Sequence, residues 1–217
     1  MAIEFINKDI SDKAGWDGFV QLVQDFVSKE ASKEELGFAD VTLVLTEDPF
    51  TGDKLERPAI HVIATVFGGT NCSDQEVEAS KQLFNFTVRA WALAGRCIAS
   101  IFTSEAWMTT VPAVDGLPSV DHVRPKLDPQ RVEAMVMMIE HADYGSQMAT
   151  SIISHQGGQR VLAPWQSKDG SPLGRFARFI PPPFAFEDPR IVEAARLFVR
   201  STDVAGLTRD ASARMRT

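Results

Sequence analysis

The chain has 217 residues, of which 44% are hydrophobic and 24% are charged, and its formal net charge is −7 at pH 7. This composition is typical of a folded protein and excludes a wholly disordered chain, and the length predicts one domain over residues 1–217. An acidic chain disfavours nonspecific binding to nucleic acid or anionic membranes, because both carry negative charge.

The chain also lacks the sequence features of secreted and membrane proteins. Its first residues show no basic start followed by an apolar run, so no signal peptide is predicted, and no stretch of about 18 apolar residues could span a bilayer. Cys72 and Cys97 flank a predicted helix that would hold them roughly 35 Å apart, too far for a disulfide. Two free thiols suit a reducing compartment, so we expect a cytoplasmic protein.

The first third of the chain predicts a helix followed by two strands. Apolar residues from Trp16 to Val27 recur at every third or fourth position, which predicts an amphipathic helix over residues 13–30. The β-branched segments 41–46 (VTLVLT) and 59–67 (AIHVIATVF) predict two strands. Residues 47–58 contain two prolines and a glycine, and therefore predict the loop that joins these strands.

The middle of the chain predicts a helix that leads directly into the sheet. Residues 73–76 (SDQE) have the S-x-x-E form of a capping box, which starts a helix over residues 74–94. Its buried side is predicted to carry Val77, Leu83, Phe84, Val88, Trp91 and Ala92. The apolar segment 97–108 then predicts a central strand, and residues 132–139 its neighbour, with a proline-rich loop over 110–130 between them.

The last third predicts a meander and a final helix. Residues 148–155, 160–165 and 173–180 predict strands, with a turn over residues 168–171. Asp188 and Pro189 are the residue types expected at an N-cap and a first helical position. The apolar stripe of that helix is predicted to be Ile191, Val192, Ala195, Phe198 and Val199.

These elements predict an α+β fold in a single domain. A mostly antiparallel sheet of five to seven strands should carry a central helix on one face, with flanking N- and C-terminal helices. Within the domain, residues 1–180 form the predicted core, residues 181–206 a proline-rich spacer and the C-terminal helix, and residues 207–217 a flexible tail.

No catalytic, metal-binding or phosphate-binding motif is present in the sequence, so we predict no catalytic residue, cofactor or metal. If the chain is an enzyme, the candidate residues are Glu105, Ser104 and His141. Glu105 stands in an apolar strand, where burial would raise the pKa of a carboxyl group and suit it to general acid or base catalysis. The alternative is that Glu105 lies at the end of the strand, exposed or paired with an arginine.

Two other groups of polar residues are candidate sites. Glu140, His141 and Asp143 supply three possible metal ligands at a turn, but neighbouring strand residues point to opposite faces, so a polar turn is the simpler interpretation. Residues 190–217 carry six arginines and three acidic residues, and an arginine-rich tail can bind nucleic acid or an acidic partner. Because no aromatic residue interleaves the tail, a solvated tail is the simpler interpretation there too.

Residues 103–108 (TSEAWM) and residues 128–133 (DPQRVE) each stand beside a predicted strand. These segments resemble a group of uncharacterised small bacterial and phage proteins. The resemblance covers less than a fifth of the chain and implies a bacterial or phage source, but no activity.

The sequence therefore favours a non-enzymatic accessory or binding protein. Such a protein would bind a protein partner, or would self-associate through a sheet edge or the loop 110–130. One alternative is a small hydrolase-type enzyme that uses Glu105 as general acid or base. Another is a nucleic-acid binder that uses the arginine tail, which the net charge opposes.

Overall fold

A computed structural model describes residues 10–33, 40–65, 73–108, 113–114, 117–118, 128–169 and 178–204. These residues form three α-helices and a seven-stranded sheet in which every pairing is antiparallel. The predicted α+β fold is therefore confirmed, with a central helix on one face of the sheet and flanking N- and C-terminal helices.

The helices are α1 (Lys13–Ala31), α2 (Asp74–Ala94) and α3 (Pro189–Val204), and a short 3₁₀ helix (Pro183–Phe186) precedes α3. The main sheet contains β1 (Asp40–Thr46), β2 (Ala59–Thr65), β3 (Ala99–Met108), β6 (Val132–His141), β7 (Gly145–Gln156), β8 (Gln159–Leu162) and β9 (Gln166–Asp169). Their order is β2-β1-β3-β6-β7, after which β7 pairs with both β8 and β9. A separate two-stranded ladder joins β4 (Ala113–Val114) to β5 (Leu117–Pro118).

The start of α2 is set by its own sequence. The Ser73 hydroxyl accepts a hydrogen bond from the Glu76 amide, while the Glu76 carboxylate accepts from the Ser73 amide, which is the predicted capping box. At the other end, Gly95 packs so closely on β1 that an added Cβ would lie 2.6 Å from the Thr46 side chain. The sharp connection from α2 into β3 therefore requires a residue without a side chain.

The sheet is buried on both faces along its middle strands, because α1 packs on one face and α2 on the other, with α3 packed against α2. On the α1 face, aromatic and β-branched residues of the helix pack against alternate sheet residues such as Ile101, Met135 and Ile139. On the opposite face, Phe84 and Val88 of α2 pack against Val44, Phe102 and Phe179. This two-sided burial explains why β3 is apolar on both faces over its first half.

The end of the meander differs from the prediction. The predicted strand over 160–165 is shorter than expected, since β8 ends at Leu162, and a further strand, β9, begins at Gln166 and occupies part of the predicted turn 168–171. Pro164 lies between them and has no amide hydrogen to donate, so the ladder breaks there. The predicted strand 173–180 lies mostly outside the described residues, and residues 178–180 are not in a strand.

Candidate functional site

The three candidate catalytic residues do not form one constellation. Ser104 and Glu105 are adjacent on β3 and so point to opposite faces of the sheet. His141 is in register with Ala99, six residues along β3 from Glu105, which places it roughly 20 Å away. The Ser104 hydroxyl lies 3.1 Å from the backbone carbonyl of Glu105 and also hydrogen-bonds the carboxylate of Asp40. Neither the Ser104 hydroxyl nor the Glu105 carboxylate therefore lies within hydrogen-bond reach of the His141 ring.

Glu105 takes part in a charged network on the α1 face of the sheet. Its carboxylate accepts a hydrogen bond from the Arg160 guanidinium at 2.6 Å, and the same guanidinium reaches Glu133 at 3.2 Å. Glu133 also lies 3.0 Å from the ring of His155. The hydrogen bond that Glu133 shares with Glu105, together with the hydrogen bond from His155 and the charge of Arg160, holds the pKa of Glu133 below its ordinary value. Glu105 thus helps to hold a largely buried arginine between two carboxylates.

An exposed aromatic residue lies beside this network. The guanidinium of Arg131 stands over the ring of Trp107, 4.5 Å from its centroid, and Trp107 is about half exposed. Both residues stand at the end of the sheet where the chain leaves β3 and returns to β6. Most of the predicted loop 110–130 lies outside the described residues.

His141 is a packed residue of the sheet. Its ring stacks on Tyr144 at 4.2 Å and tilts against Trp16 at 4.9 Å between centroids. Its Nδ1 accepts a hydrogen bond from the Asp143 amide, and burial lowers its pKa below the ordinary value. His141 is therefore a neutral ring that joins α1 to the β6–β7 turn.

A surface cavity of about 370 Å³ lies beside this stack, between α1 and the β6–β7 turn. Its walls include Lys13, Trp16, Tyr144, Ser146 and Gln147. The Lys13 ammonium forms an ion pair with Asp17 and lies 5.9 Å from the centre of the Tyr144 ring. The Lys13 ammonium, the charged group of this cavity, thus already contacts Asp17 and Tyr144 of the same chain.

Glu140 is a buried carboxylate whose role sequence reasoning missed. It accepts hydrogen bonds from the Ser100 hydroxyl at 3.1 Å, the Phe179 amide at 2.7 Å and the Arg178 amide. Glu140 and His141 point to opposite faces of the sheet, as strand alternation predicts. The carboxylate fixes the segment that leads from the sheet to α3, and no local pattern could have revealed partners 38 and 39 residues away.

His61 occupies a partly buried position on the α2 face. Its ring lies 4.5 Å from that of Trp91, and its Nε2 is 2.9 Å from the Thr46 hydroxyl. Because that hydroxyl donates to the Glu47 carbonyl, His61 Nε2 is the donor to Thr46. Burial lowers the pKa of His61 to about 4. The ring is neutral and structural, and it joins β2 to α2.

The arginines of α3 are engaged within the chain. Arg190 pairs with Asp188 at 3.0 Å. Arg196 donates to the Ala94 carbonyl, and Arg200 donates to the Phe50 carbonyl while lying 3.6 Å from Glu193. These contacts fasten the β1–β2 loop and the end of α2 to α3. The arginines of the predicted tail, residues 207–217, lie outside the described residues.

The largest departure from the predicted surface is an apolar patch on α2 and α3. Leu83, predicted to be buried, is 63% exposed, and Ile191, predicted to lie in a buried stripe, is 50% exposed. Phe86 and Leu197 are also more than half exposed. Phe86 packs edge-on against Phe198 at 4.9 Å, which joins the two helices. We call this set the helical face: Leu83, Phe86, Ile191, Leu197 and Phe198.

The sequence contains a pattern from which the α2 part of the helical face could have been predicted. Ala79, Leu83, Phe86, Ala90 and Leu93 recur at intervals of four, three, four and three residues, which is a second apolar stripe on α2. Leu83 belongs to this second stripe and not to the one that packs on the sheet. The 3₁₀ helix extends the patch with Phe184, which is 69% exposed.

Among the described residues, no three histidine, cysteine, aspartate or glutamate side chains come together as metal ligands would. None of the helices within these same ranges has the length and hydropathy that crossing a bilayer requires. No family model, curated protein or solved structure matches the chain. Its function must therefore be inferred from its own residues.

Proposed function

We propose that this chain is a non-enzymatic binding protein, and that the helical face is its docking surface for a protein partner. The observation that carries the proposal is the exposure of Leu83, Phe86, Ile191 and Leu197 on two adjoining helices. Large apolar side chains grouped on a protein surface mark interaction sites, whereas single ones are ordinary. The occupant would remove them from water, which is the main favourable term in protein association.

The state of the polar residues supports a binding function over catalysis. Glu105 is bridged to Arg160, Glu140 is saturated by three donors, and both His61 and His141 are packed neutral rings. A general acid or base must reach the proton that it transfers. Each of these groups instead holds parts of the fold together.

A bacterial or phage-infected cytoplasm is the compartment that we propose. Cys97 is a free, buried cysteine, and burial raises the pKa of its thiol to about 12. A thiol with such a pKa stays protonated and unreactive at neutral pH. A thiol titration of the denatured, unreduced protein should find two free cysteines for each chain, and a result of none would contradict this compartment.

Site-specific photo-crosslinking in the producing cells tests the proposed docking surface. A photoreactive phenylalanine analogue at position 86 should give a covalent adduct with a protein. The same analogue at position 55, in the β1–β2 loop, is the control, because Leu55 is also exposed but is not one of the residues of the helical face. The adduct at position 86 should disappear when Leu197→Glu is added. Equal crosslinking at positions 55 and 86, or none at position 86, would contradict the proposal.

A further inference from the structure

The helical face has the spacing of a helix-packing seam. On α2, Ala79, Leu83, Phe86, Ala90 and Leu93 follow the alternating four- and three-residue spacing of the a and d positions in a coiled coil. On α3, Ile191, Ala194, Phe198 and Ser201 repeat at three, four and three residues. Seams of this spacing accept another helix, because their side chains pack as knobs into holes.

Within one chain the two seams cover each other only in part. Ala90 is buried, and Leu93 is partly buried against the cluster formed by Trp91, Ala94, Ala195 and Val199. Phe86 and Phe198 meet edge-on where the helices still touch. Before that point along α2, Leu83 and Ala79 are exposed. The pair α2–α3 therefore resembles half of a four-helix bundle, with the other half missing over Leu83 and Phe86.

The open area is of the size that an oligomer interface needs at its centre. Leu83, Phe86, Phe184, Ile191 and Leu197 are each half or more exposed, and at roughly 150–200 Å² for each side chain they present on the order of 500 Å² of apolar surface. A stable interface buries about 800 Å² on each partner, with an apolar centre and a polar rim. The patch is thus large enough to form the centre of one such interface.

The charges around the face do not oppose the approach of a second copy. Arg190 is paired with Asp188, and Glu193 lies between Arg196 and Arg200. The charged residues on the α3 side of this rim are therefore paired within each chain. Two copies carry a net charge of −7 each, but paired rim charges leave little like-charge repulsion at the contact itself.

We infer that the occupant of the helical face is a second copy of this chain. The two copies form an isologous dimer, in which α2 and α3 of each chain complete a four-helix layer with those of the other. The α2 helices cross antiparallel near the twofold axis, so Leu83 of one chain packs against Phe86 of its partner. The inference rests on the proposed function and identifies the partner that the docking surface binds.

The oligomeric state of the full chain tests the inference. Size-exclusion chromatography with light scattering, over about a hundredfold range of concentration, should give the mass of a dimer for the wild type. Leu83→Glu and Leu197→Glu should each shift the mass to that of a monomer without a change in circular dichroism. Leu55→Glu introduces the same charge at an exposed loop residue and should remain dimeric. A dimer that persists in both face variants would overturn the inference and point to another surface, such as the β2 edge.

Cysteine crosslinking tests the symmetry of the same contact. In a Cys72→Ser background, Leu83→Cys should form a disulfide-linked dimer on mild oxidation, because the two positions lie near the twofold axis. Leu55→Cys in that background should give none, and Cys97 is buried and should not react. Equal crosslinking from both positions would overturn the arrangement.

The failure of this inference is distinguishable from that of the proposed function. A monomeric wild type that still forms a Leu197-dependent adduct from position 86 would overturn the dimer and leave a different protein as the partner. A monomeric wild type with no adduct would overturn both. A dimer that is lost only in the face variants supports both.

Discussion

Glu140 and Phe179 are joined by a 2.7 Å hydrogen bond from the Phe179 amide to the Glu140 carboxylate, across 39 residues of chain. The side chain of Phe179 is buried between Phe102 of the sheet and the guanidinium of Arg89 on α2. This bond therefore sets where the segment before α3 meets the sheet. Because α3 carries half of the helical face, the position of that face depends on a buried carboxylate in β6.

Replacement of that carboxylate should weaken the fold. Glu140→Gln keeps the size of the side chain but removes the charge that three donors share. Charge-assisted hydrogen bonds contribute about 1.5–3 kcal/mol each in favourable cases, and we expect a loss of about 2–3 kcal/mol in the free energy of unfolding. Urea denaturation at neutral pH measures it. Glu56→Gln, at an exposed loop residue, is the control, and equal stabilities of the two variants would contradict the prediction.

Glu105→Gln should affect stability and leave binding intact. Arg160 is largely buried, and the amide of the new side chain would still accept a hydrogen bond from it but would no longer supply a charge, while Glu133 remains as a partner. We therefore expect a loss of about 1–2 kcal/mol in the free energy of unfolding, with a coupling of similar size in a double-mutant cycle with Arg160→Met. Dimer mass should not change, because the network lies on the opposite face of the sheet from α2 and α3. Wild-type melting with altered binding would instead identify the network as the functional site.

The parts of the fold that the sequence predicts well are those governed by neighbouring residues. Ser73 and Glu76 define the start of α2 because both capping bonds lie within four residues. Asp188 and Pro189 mark the start of α3 for the same reason. The alternation of large and small residues predicts β3 because the pleat itself sets that period.

The sequence-based predictions are wrong where tertiary packing determines which residues are buried and which residues are in contact. Leu83 and Phe84 are adjacent on α2, yet Phe84 packs on the sheet and Leu83 belongs to a second stripe that turns toward α3. Hydropathy alone does not distinguish two stripes on one helix, since both are apolar. Likewise, nothing near Glu105 in the sequence indicates that Arg160, 55 residues later, is its partner. Local patterns thus single out Glu105 as a candidate, whereas its chemistry depends on contacts made by the folded chain.

The partly buried His61 should make the fold sensitive to mild acid. Its pKa is about 4 in the folded chain, against an ordinary value of 6.5, so the unfolded chain binds more protons between these values. The stabilising contribution is therefore fully present above pH 6.5 and is lost as the pH falls toward 4, by up to about 3 kcal/mol. His61→Phe keeps a ring on Trp91 and removes the titration. We expect the wild type to lose more unfolding free energy than this variant between about pH 7.5 and pH 4.5 in a series of urea titrations. Parallel losses in both proteins would contradict the prediction.

Asp40 should act in the opposite direction over nearly the same range. Burial raises its pKa to about 6, although the Ser104 hydroxyl and Lys81 favour its charged form. Because the carboxyl pKa of Asp40 is raised, the folded chain binds more protons than the unfolded chain between about pH 4 and pH 6. Ionisation of Asp40 therefore lowers the free energy of unfolding above pH 6, and this loss disappears as the pH falls toward 4.

Asp40→Asn keeps an acceptor for Ser104 and removes the buried charge. Because Asp40 is only partly buried, we expect this variant to be more stable than the wild type by about 1–2 kcal/mol above pH 6, with the gain vanishing near pH 4. Urea denaturation at closely spaced pH values measures the difference, and Asp53→Asn, at an exposed loop residue, is the control. A variant less stable than the wild type at about pH 8 would show that Lys81 and Ser104 outweigh burial, and that the carboxylate of Asp40 stabilises the end of β1 in its charged form.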